Sequence, residues 1–118
     1  VVIYRFEVSE RSAAESKMIG YMYILECVDG SYYTGSTKDL GRRFLQHQCG
    51  EGARHTAKRL PVKLVYCERF AHVAAAFDRE KQVQGWTHRK KEALIAGDYA
   101  QLKRLAKRRV ASAGAQPP

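Results

Sequence analysis

The chain has 118 residues and a mass of 13.4 kDa, with 21 Lys and Arg against 12 Asp and Glu, a formal net charge of +9 and a pI near 9.7. A chain of this size has room for one core of two layers and excludes a large multidomain protein, while 45 % hydrophobic and 10 % aromatic residues exclude disorder along most of it. The longest mainly apolar stretches, residues 21–25 and 73–77, fall far short of the ~20 residues that a helical membrane crossing needs.

In chain order, residues 1–17 show no clean period and read as an N-terminal extension, with an added edge strand at 1–6 as one option. Arg5, Glu7, Glu10, Arg11 and Glu15 interrupt this segment where a signal peptide would need an apolar run, so a cytoplasmic protein is expected. Residues 21–27 and 31–36 are rich in aromatic and branched side chains, and Asp29-Gly30 between them signals a hairpin. A two-residue turn would set Tyr23 and Tyr33 on opposite faces. A three-residue loop of Val28, Asp29 and a left-handed Gly30 would put them on one face, with Gly35 opposite Tyr23 and open space beside the phenol. Ser36-Thr37-Lys38-Asp39 has capping-box spacing, and Leu40, Phe44 and Leu45 give a helical stripe as far as about residue 48.

Residues 49–60 are polar and glycine-bearing and read as a loop. Residues 61–70 read as a third strand, with Val62, Leu64 and Tyr66 alternating against Lys63, Val65 and Cys67. Helical periodicity returns over 71–84, then over 87–95 up to Gly97, and Asp98 caps a last basic helix at 98–110 ahead of a frayed tail at 111–118. The expected class is α+β: a small three-stranded, mainly antiparallel sheet flanked by helices in the order β-β-α-β-α-α-α. Cys27, Cys49 and Cys67 form no C-x-x-C pair and read as reduced packing residues.

The positive charge is concentrated toward one end. Residues 1–17 sum to zero and 18–78 to +2, whereas 79–118 carry +7. Cations on neighbouring helical turns, such as Arg89, Lys90 and Lys91, attract a polyphosphate backbone through counterion release. A solvated helix face that aids solubility is the alternative.

Three side chains stand out on the helical wheels. Arg43 and His47, one turn apart, border the stripe defined by Leu40 and Phe44 and point at the rim of the sheet, where a cation and an imidazole suit a phosphate. With Val73, Ala76 and Phe77 as the apolar face of its helix, Glu80 projects from the middle of that face. A buried carboxylate requires a partner, which could be an arginine in a buried salt bridge, a tyrosine hydroxyl or a divalent cation.

Tyr21-Met22-Tyr23, the later Tyr33-Thr34-Gly35, Arg43-Phe44-Leu45-Gln46-His47 and Glu80 together resemble the GIY-YIG nuclease domain, most closely its small stand-alone bacterial, endonuclease-like members. The likeness covers about residues 20–95, with 18–97 as the expected nuclease-like domain. It departs from the family name in reading Tyr-Met-Tyr and Tyr-Thr-Gly, and no asparagine follows Glu80. The resemblance implies metal-dependent hydrolysis of DNA phosphodiesters in one displacement, in repair or on structured DNA. By the same resemblance, Glu80 holds Mg²⁺ or another divalent cation and Arg43 contacts the scissile phosphate. Tyr23, or else Tyr33, takes the proton of the attacking water, His47 orients that water or relays the proton, and Gly35 is structural. Arg43 and the metal would have to favour the phenolate, because an ordinary phenol is a poor base at neutral pH. Nucleic acid, chiefly DNA, is the expected partner, held by Arg42, Arg54, Lys58 and Arg59 beside the site and by Lys81, Arg89, Lys90 and Lys91 along the helices, with no membrane involved. The alternative is a DNA- or RNA-binding module that keeps the scaffold without turnover and uses Trp86 for stacking.

Overall fold

The computed structural model of the chain describes residues 19–106. The extension expected at 1–17, its edge strand at 1–6, the basic end of the last helix at 107–110 and the tail at 111–118 lie outside those residues. The described elements are β1 (Gly20–Glu26), β2 (Tyr32–Thr37), α1 (Leu40–Gln48), α2 (Arg54–Ala57), β3 (Lys63–Phe70), α3 (Val73–Gln84) and α4 (His88–Ala96). The sheet is antiparallel throughout in the order β2-β1-β3, so β1 is central and β2 is an edge.

The hairpin closes through a three-residue loop. The Gly30 amide donates to the Cys27 carbonyl at 2.9 Å and the Cys27 amide to the Ser31 carbonyl at 2.8 Å. Gly30 has φ +85°, the left-handed conformation that a side chain disfavours. The resulting register pairs Tyr23 with Gly35 and Leu25 with Tyr33, so both tyrosines share a face.

Strand β3 departs from simple alternation. Ile24 pairs with Tyr66 and Leu25 with Leu64, leaving Val65 as the extra residue of a bulge. The bulge inverts the alternation beyond it, so Leu64 and Val62 join Cys67 rather than Tyr66. On that face Tyr21, Tyr23, Leu25 and Cys27 form a core cluster with Leu40, Val62 and Cys67, and Phe44 packs against it. The opposite face carries α3. A Cβ on Gly20 would fall 2.5 Å from Val73 Cα and 3.1 Å from Ala76 Cβ, so the glycine lets helix and strand approach closely. Met22, Ile24, Ala76 and Val83 are fully buried.

Asp39, and not Ser36, caps α1: its side chain accepts from the Arg42 amide at 3.1 Å. Ser36 is extended in β2 opposite Met22 and cannot start a helix. The inward positions of α1 are Leu40, Phe44 and His47, spaced four and three residues apart, which leaves Leu45 62 % exposed. In α3 the buried positions are Ala76, Glu80 and Val83, with Phe77 half exposed outside that stripe. Within the stretch expected to be a loop, residues 54–57 form the single turn of α2.

The contacts divide the chain into two compact units, the first ending at Gly85 and the second beginning at Trp86. In the second, Thr87 caps α4 by accepting from the Lys90 amide, Gly97 ends it in the left-handed conformation at φ +72°, and residues 99–106 are helical again. Among the described residues no helix is long and apolar enough to cross a membrane. Cys27 and Cys67 are buried, Cys49 is exposed, and all three are free thiols.

Candidate active site at the free edge of the sheet

Two glycines shape the pocket on the α1 side. The Tyr23 ring lies directly over Gly35, where a Cβ would come within 2.5 Å of the phenol oxygen and 2.6 Å of Cζ. The room expected beside the phenol is therefore filled by the phenol itself. Gly52 likewise lies under the His47 ring, where a Cβ would come within 2.8 Å of Cε1. Between these supports the Tyr23 hydroxyl meets His47 Nε2 at 2.8 Å, and His47 Nδ1 meets Thr56 Oγ1 at 2.8 Å. The Thr56 hydroxyl donates to the Ala53 carbonyl at 2.9 Å. Tyr23 and His47 are each 1 % exposed.

Tyr33 completes the pocket, with its ring centroid 5.2 Å from that of His47 and 6.4 Å from that of Tyr23. His55 of α2 stacks on Tyr33 at 6.4 Å with an interplanar angle of 22°, and its Nε2 lies 2.9 Å from Ser31 Oγ. Sequence reasoning does not reach Thr56 and His55. The only signal for them is a pair of glycines, Gly50 and Gly52, that stop α1 and turn the chain back toward it.

Electrostatics tie these groups together. Burial pushes the Tyr23 phenol well above its ordinary value, the Tyr33 ring adds to that, and the Arg43 guanidinium pulls the other way without prevailing. Tyr33 is raised by burial and then by the charge of Glu80, again opposed by Arg43. Burial and then Arg43 hold His47 below the usual imidazole value. The expectation that Arg43 favours the phenolate is right in sign, but desolvation outweighs it. Arg43 itself is half buried, its Nε donating to Gln46 Oε1 at 3.1 Å, and it lines a cleft of about 400 Å³ with Thr37, Lys38, Asp39, Arg42, Gln46 and Val73.

Glu80 reaches the same strand from the opposite face. It is 8 % exposed; Ser36 Oγ donates to its Oε1 at 2.6 Å and Gln84 Nε2 to its Oε2 at 2.9 Å, with Lys81 Nζ at 3.7 Å. Its direct partners within the chain are thus a serine hydroxyl and an amide, in place of the arginine or tyrosine hydroxyl that the sequence allowed. Among the described residues no three His, Cys, Asp or Glu side chains cluster as metal ligands. A lone carboxylate still suits a hard cation that keeps most of its water, because each carboxylate oxygen has a second lone pair. The Thr34 hydroxyl, buried without a hydrogen-bond partner, shares this face of β2 with Ser36 and adds a further oxygen donor.

The basic residues differ in what holds them. Arg42, Arg54 and Lys58 are exposed, with Arg42 in the cleft wall. Arg59 is engaged, its Nε 2.9 Å from Asp29 Oδ2 and its Nη1 donating to the His55 carbonyl at 3.0 Å. Lys81 lies 4.8 Å from the Phe77 ring centroid as well as near Glu80. In the second unit Arg89 is exposed, Lys90 sits 4.2 Å over the Trp86 ring and so covers one of its faces, and burial pushes the Lys91 ammonium down.

Residues 19–93 match the model of the GIY-YIG catalytic domain. A UPF0213 protein of Natronomonas pharaonis is 44 % identical over 78 residues, which is 66 % of this chain and 92 % of that relative. A UPF0213 protein of Bacillus pumilus is 44 % identical over 75 residues, or 64 % of this chain and 76 % of the relative. The solution NMR structure of a protein from E. faecalis superposes with a TM-score of 0.50 at 35 % identity, covering 73 % of this chain and 92 % of that one. With the domain match spanning more than half its length, the chain belongs to the GIY-YIG family.

Proposed function

We propose that the chain is an endonuclease that hydrolyses phosphodiester bonds of DNA in the cytoplasm, with Glu80 holding a divalent cation such as Mg²⁺. The observation that carries this reading is the pairing of Tyr23 with His47 beside Arg43, packed over Gly35 of the edge strand β2, whose opposite face meets the buried Glu80 carboxylate through Ser36. When bound, the cation supplies charge stabilisation at the leaving oxygen.

The remaining work falls to the chain's own groups. Arg43 contacts the scissile phosphate, and Arg42 and Lys38 in the cleft wall hold the strand beside it. Tyr23 takes a proton from the attacking water as its own proton passes to His47 Nε2 across 2.8 Å. The water oxygen bonds to phosphorus, the bond to the leaving oxygen breaks, and solvent protonates that oxygen. No standing phenolate is needed. Burial keeps Tyr23 protonated between turnovers and His47 neutral, ready to receive. At 1 % exposure each, these two side chains meet water only if the groups packed around them shift as substrate enters.

That same burial favours the alternative, a nucleic-acid-binding module without turnover. One comparison separates the two: duplex, branched and single-stranded DNA, and RNA, are incubated with purified protein in Mg²⁺ and in EDTA, with Glu80→Ala as control. A nuclease gives product in Mg²⁺ only and loses it in the variant. Binding that is equal in both buffers, without product, would establish the module instead.

A further inference from the structure

We infer that Thr56 is a positioning residue that fixes His47 as the Nδ1–H tautomer, so that Nε2 is an acceptor and the Tyr23 proton has one direction in which to leave. This rests on the reading of Tyr23 as the group that takes the proton of water, and it adds what makes His47 a competent acceptor.

A hydroxyl has one proton to give. The Thr56 proton is committed to the Ala53 carbonyl at 2.9 Å, so at 2.8 Å from His47 Nδ1 its oxygen can only accept. Nδ1 therefore carries hydrogen, and in the neutral ring Nε2 is the lone pair facing the Tyr23 hydroxyl. The opposite arrangement, with Thr56 donating to Nδ1, would leave its oxygen 2.9 Å from a carbonyl oxygen with no proton between them. It would also make Nε2 a donor to Tyr23, which could then pass nothing to the ring.

The surroundings are built for this chain of bonds. Thr56 is 0 % exposed, an uncommon place for a hydroxyl in an otherwise polar stretch of chain. It lies in the single turn of α2, where the Ala53 carbonyl also accepts the Ala57 amide at 3.0 Å and so uses both lone pairs. Gly52 allows this turn to lie against the imidazole, since a Cβ there would strike the ring. When His47 takes the Tyr23 proton, the Nδ1–H bond to Thr56 persists and the chain ends on a backbone carbonyl, so the imidazolium remains hydrogen-bonded on both nitrogens.

Nitrogen-15 NMR of the full chain labelled at histidine reads the tautomer directly, independent of catalysis. Above the titration of His47, its Nδ1 is expected to read as protonated and Nε2 as unprotonated in the parent and in Thr56→Ser. Thr56→Val, of equal shape but without the hydroxyl, is expected to move a measurable fraction to Nε2–H. On DNA with Mg²⁺, Thr56→Val should lose roughly 10- to 100-fold in kcat with KM nearly unchanged, and Thr56→Ser should restore most of the rate. An Nε2–H ring in the parent, a parent-like tautomer in Thr56→Val, or parent-like kcat in a folded Thr56→Val would overturn the inference. If Thr56→Val does not fold, the tautomer in the parent and in Thr56→Ser still decides. A chain that cleaves nothing under any condition would defeat the nuclease reading, leaving the NMR result to decide the role of Thr56.

Discussion

Two carboxylates lie on the α3 face of the sheet, one toward each edge, and they are satisfied in opposite ways. Toward the β3 edge, Glu68 receives Arg79 Nε at 2.9 Å on one oxygen, and Arg79 Nη2 at 3.2 Å and the Tyr66 hydroxyl at 2.5 Å on the other. Its charge is cancelled by a guanidinium from α3. Toward the β2 edge, Glu80 is donated by that same helix, one residue after Arg79, yet it accepts only from the neutral donors Ser36 and Gln84, with Lys81 more distant at 3.7 Å. The helix thus delivers a cation to one edge and an anion to the other. Glu68 makes, at a partly buried site, the salt bridge that sequence reasoning offers for Glu80, whereas the direct partners of Glu80 are neutral. A carboxylate held by neutral donors, with its nearest cation at 3.7 Å, keeps lone pairs for the proposed metal, whereas a bidentate Arg pair is a finished structural contact.

The largest expected effect breaks this comparison in two. Glu80→Ala should reduce Mg²⁺-dependent cleavage by at least about 100-fold, more than outlying partners of a metal site usually cost, while the thermal midpoint shifts little. Glu68→Gln should do the reverse. With Arg79 left short of its counter-charge at a site a quarter exposed or less, stability should fall by about 1–3 kcal/mol in denaturant titration while cleavage is kept. Equal losses of activity in the two variants would mean that the edges are not functionally distinct.

On the other face of the sheet the test is steric. Gly35→Ala would put a methyl group 2.5 Å from the Tyr23 oxygen, and the phenol must move off its bond to His47 or the strand must bend. Overpacking of this kind costs roughly 1–3 kcal/mol. The expected outcome is a folded but less stable protein whose cleavage rate drops by more than its stability explains, because the Tyr23–His47 bond is broken. A Gly35→Ala protein with parental turnover would show that the 2.8 Å bond is structural only.

The hairpin was legible in the sequence because its determinants are local. Asp29-Gly30 and the spacing of the tyrosines require a three-residue loop if Tyr23 and Tyr33 are to share a face, and the register follows. Glu80 was legible as a buried charge for the same reason, since its position in the helical period is set by its own neighbours. Its partner was not, because Ser36 lies 44 residues away and only strand pleating directs its hydroxyl toward α3. The capping-box spacing from Ser36 to Asp39 gave a competing local reading, and strand pairing with β1 prevailed over it. The bulge at Val65 left no mark in the alternation of β3, because Val62, Leu64, Val65 and Cys67 are all apolar enough for either face. Thr56 was invisible for a further reason. A single helical turn is too short to show a period, and its contribution depends on one hydroxyl whose partners come from α1 and from its own first turn.

The smallest expected effect extends the comparison to a third carboxylate, exposed in the hairpin loop. Asp29 accepts the Ser31 hydroxyl at 2.6 Å and the Ser31 amide at 3.0 Å and pairs with Arg59 at 2.9 Å. These bonds, the Ser31 hydroxyl first, hold its carboxyl down to about 2, against 3.8 for a free side chain. The folded value lies below the unfolded one, so the folded state gains from ionised Asp29 above the unfolded value and loses that gain as pH falls from near 4 toward 2. NMR titration should find this midpoint in the parent. Asp29→Asn should flatten the stability curve across that window by lowering stability at neutral pH, where the gain from ionised Asp29 is fully present, and the drop should be small because solvent screens the pair. The substitution also releases Arg59 from its counter-charge. If Arg59 faces nucleic acid, the Asp29→Asn protein should bind DNA slightly more tightly, with a salt dependence steeper by about one counterion. If instead the slope is unchanged, Arg59 is a brace that ties the hairpin to the α2 turn through the His55 carbonyl, and the phosphate contacts fall to Arg42, Arg54 and Lys58, which have no carboxylate partner among the described residues.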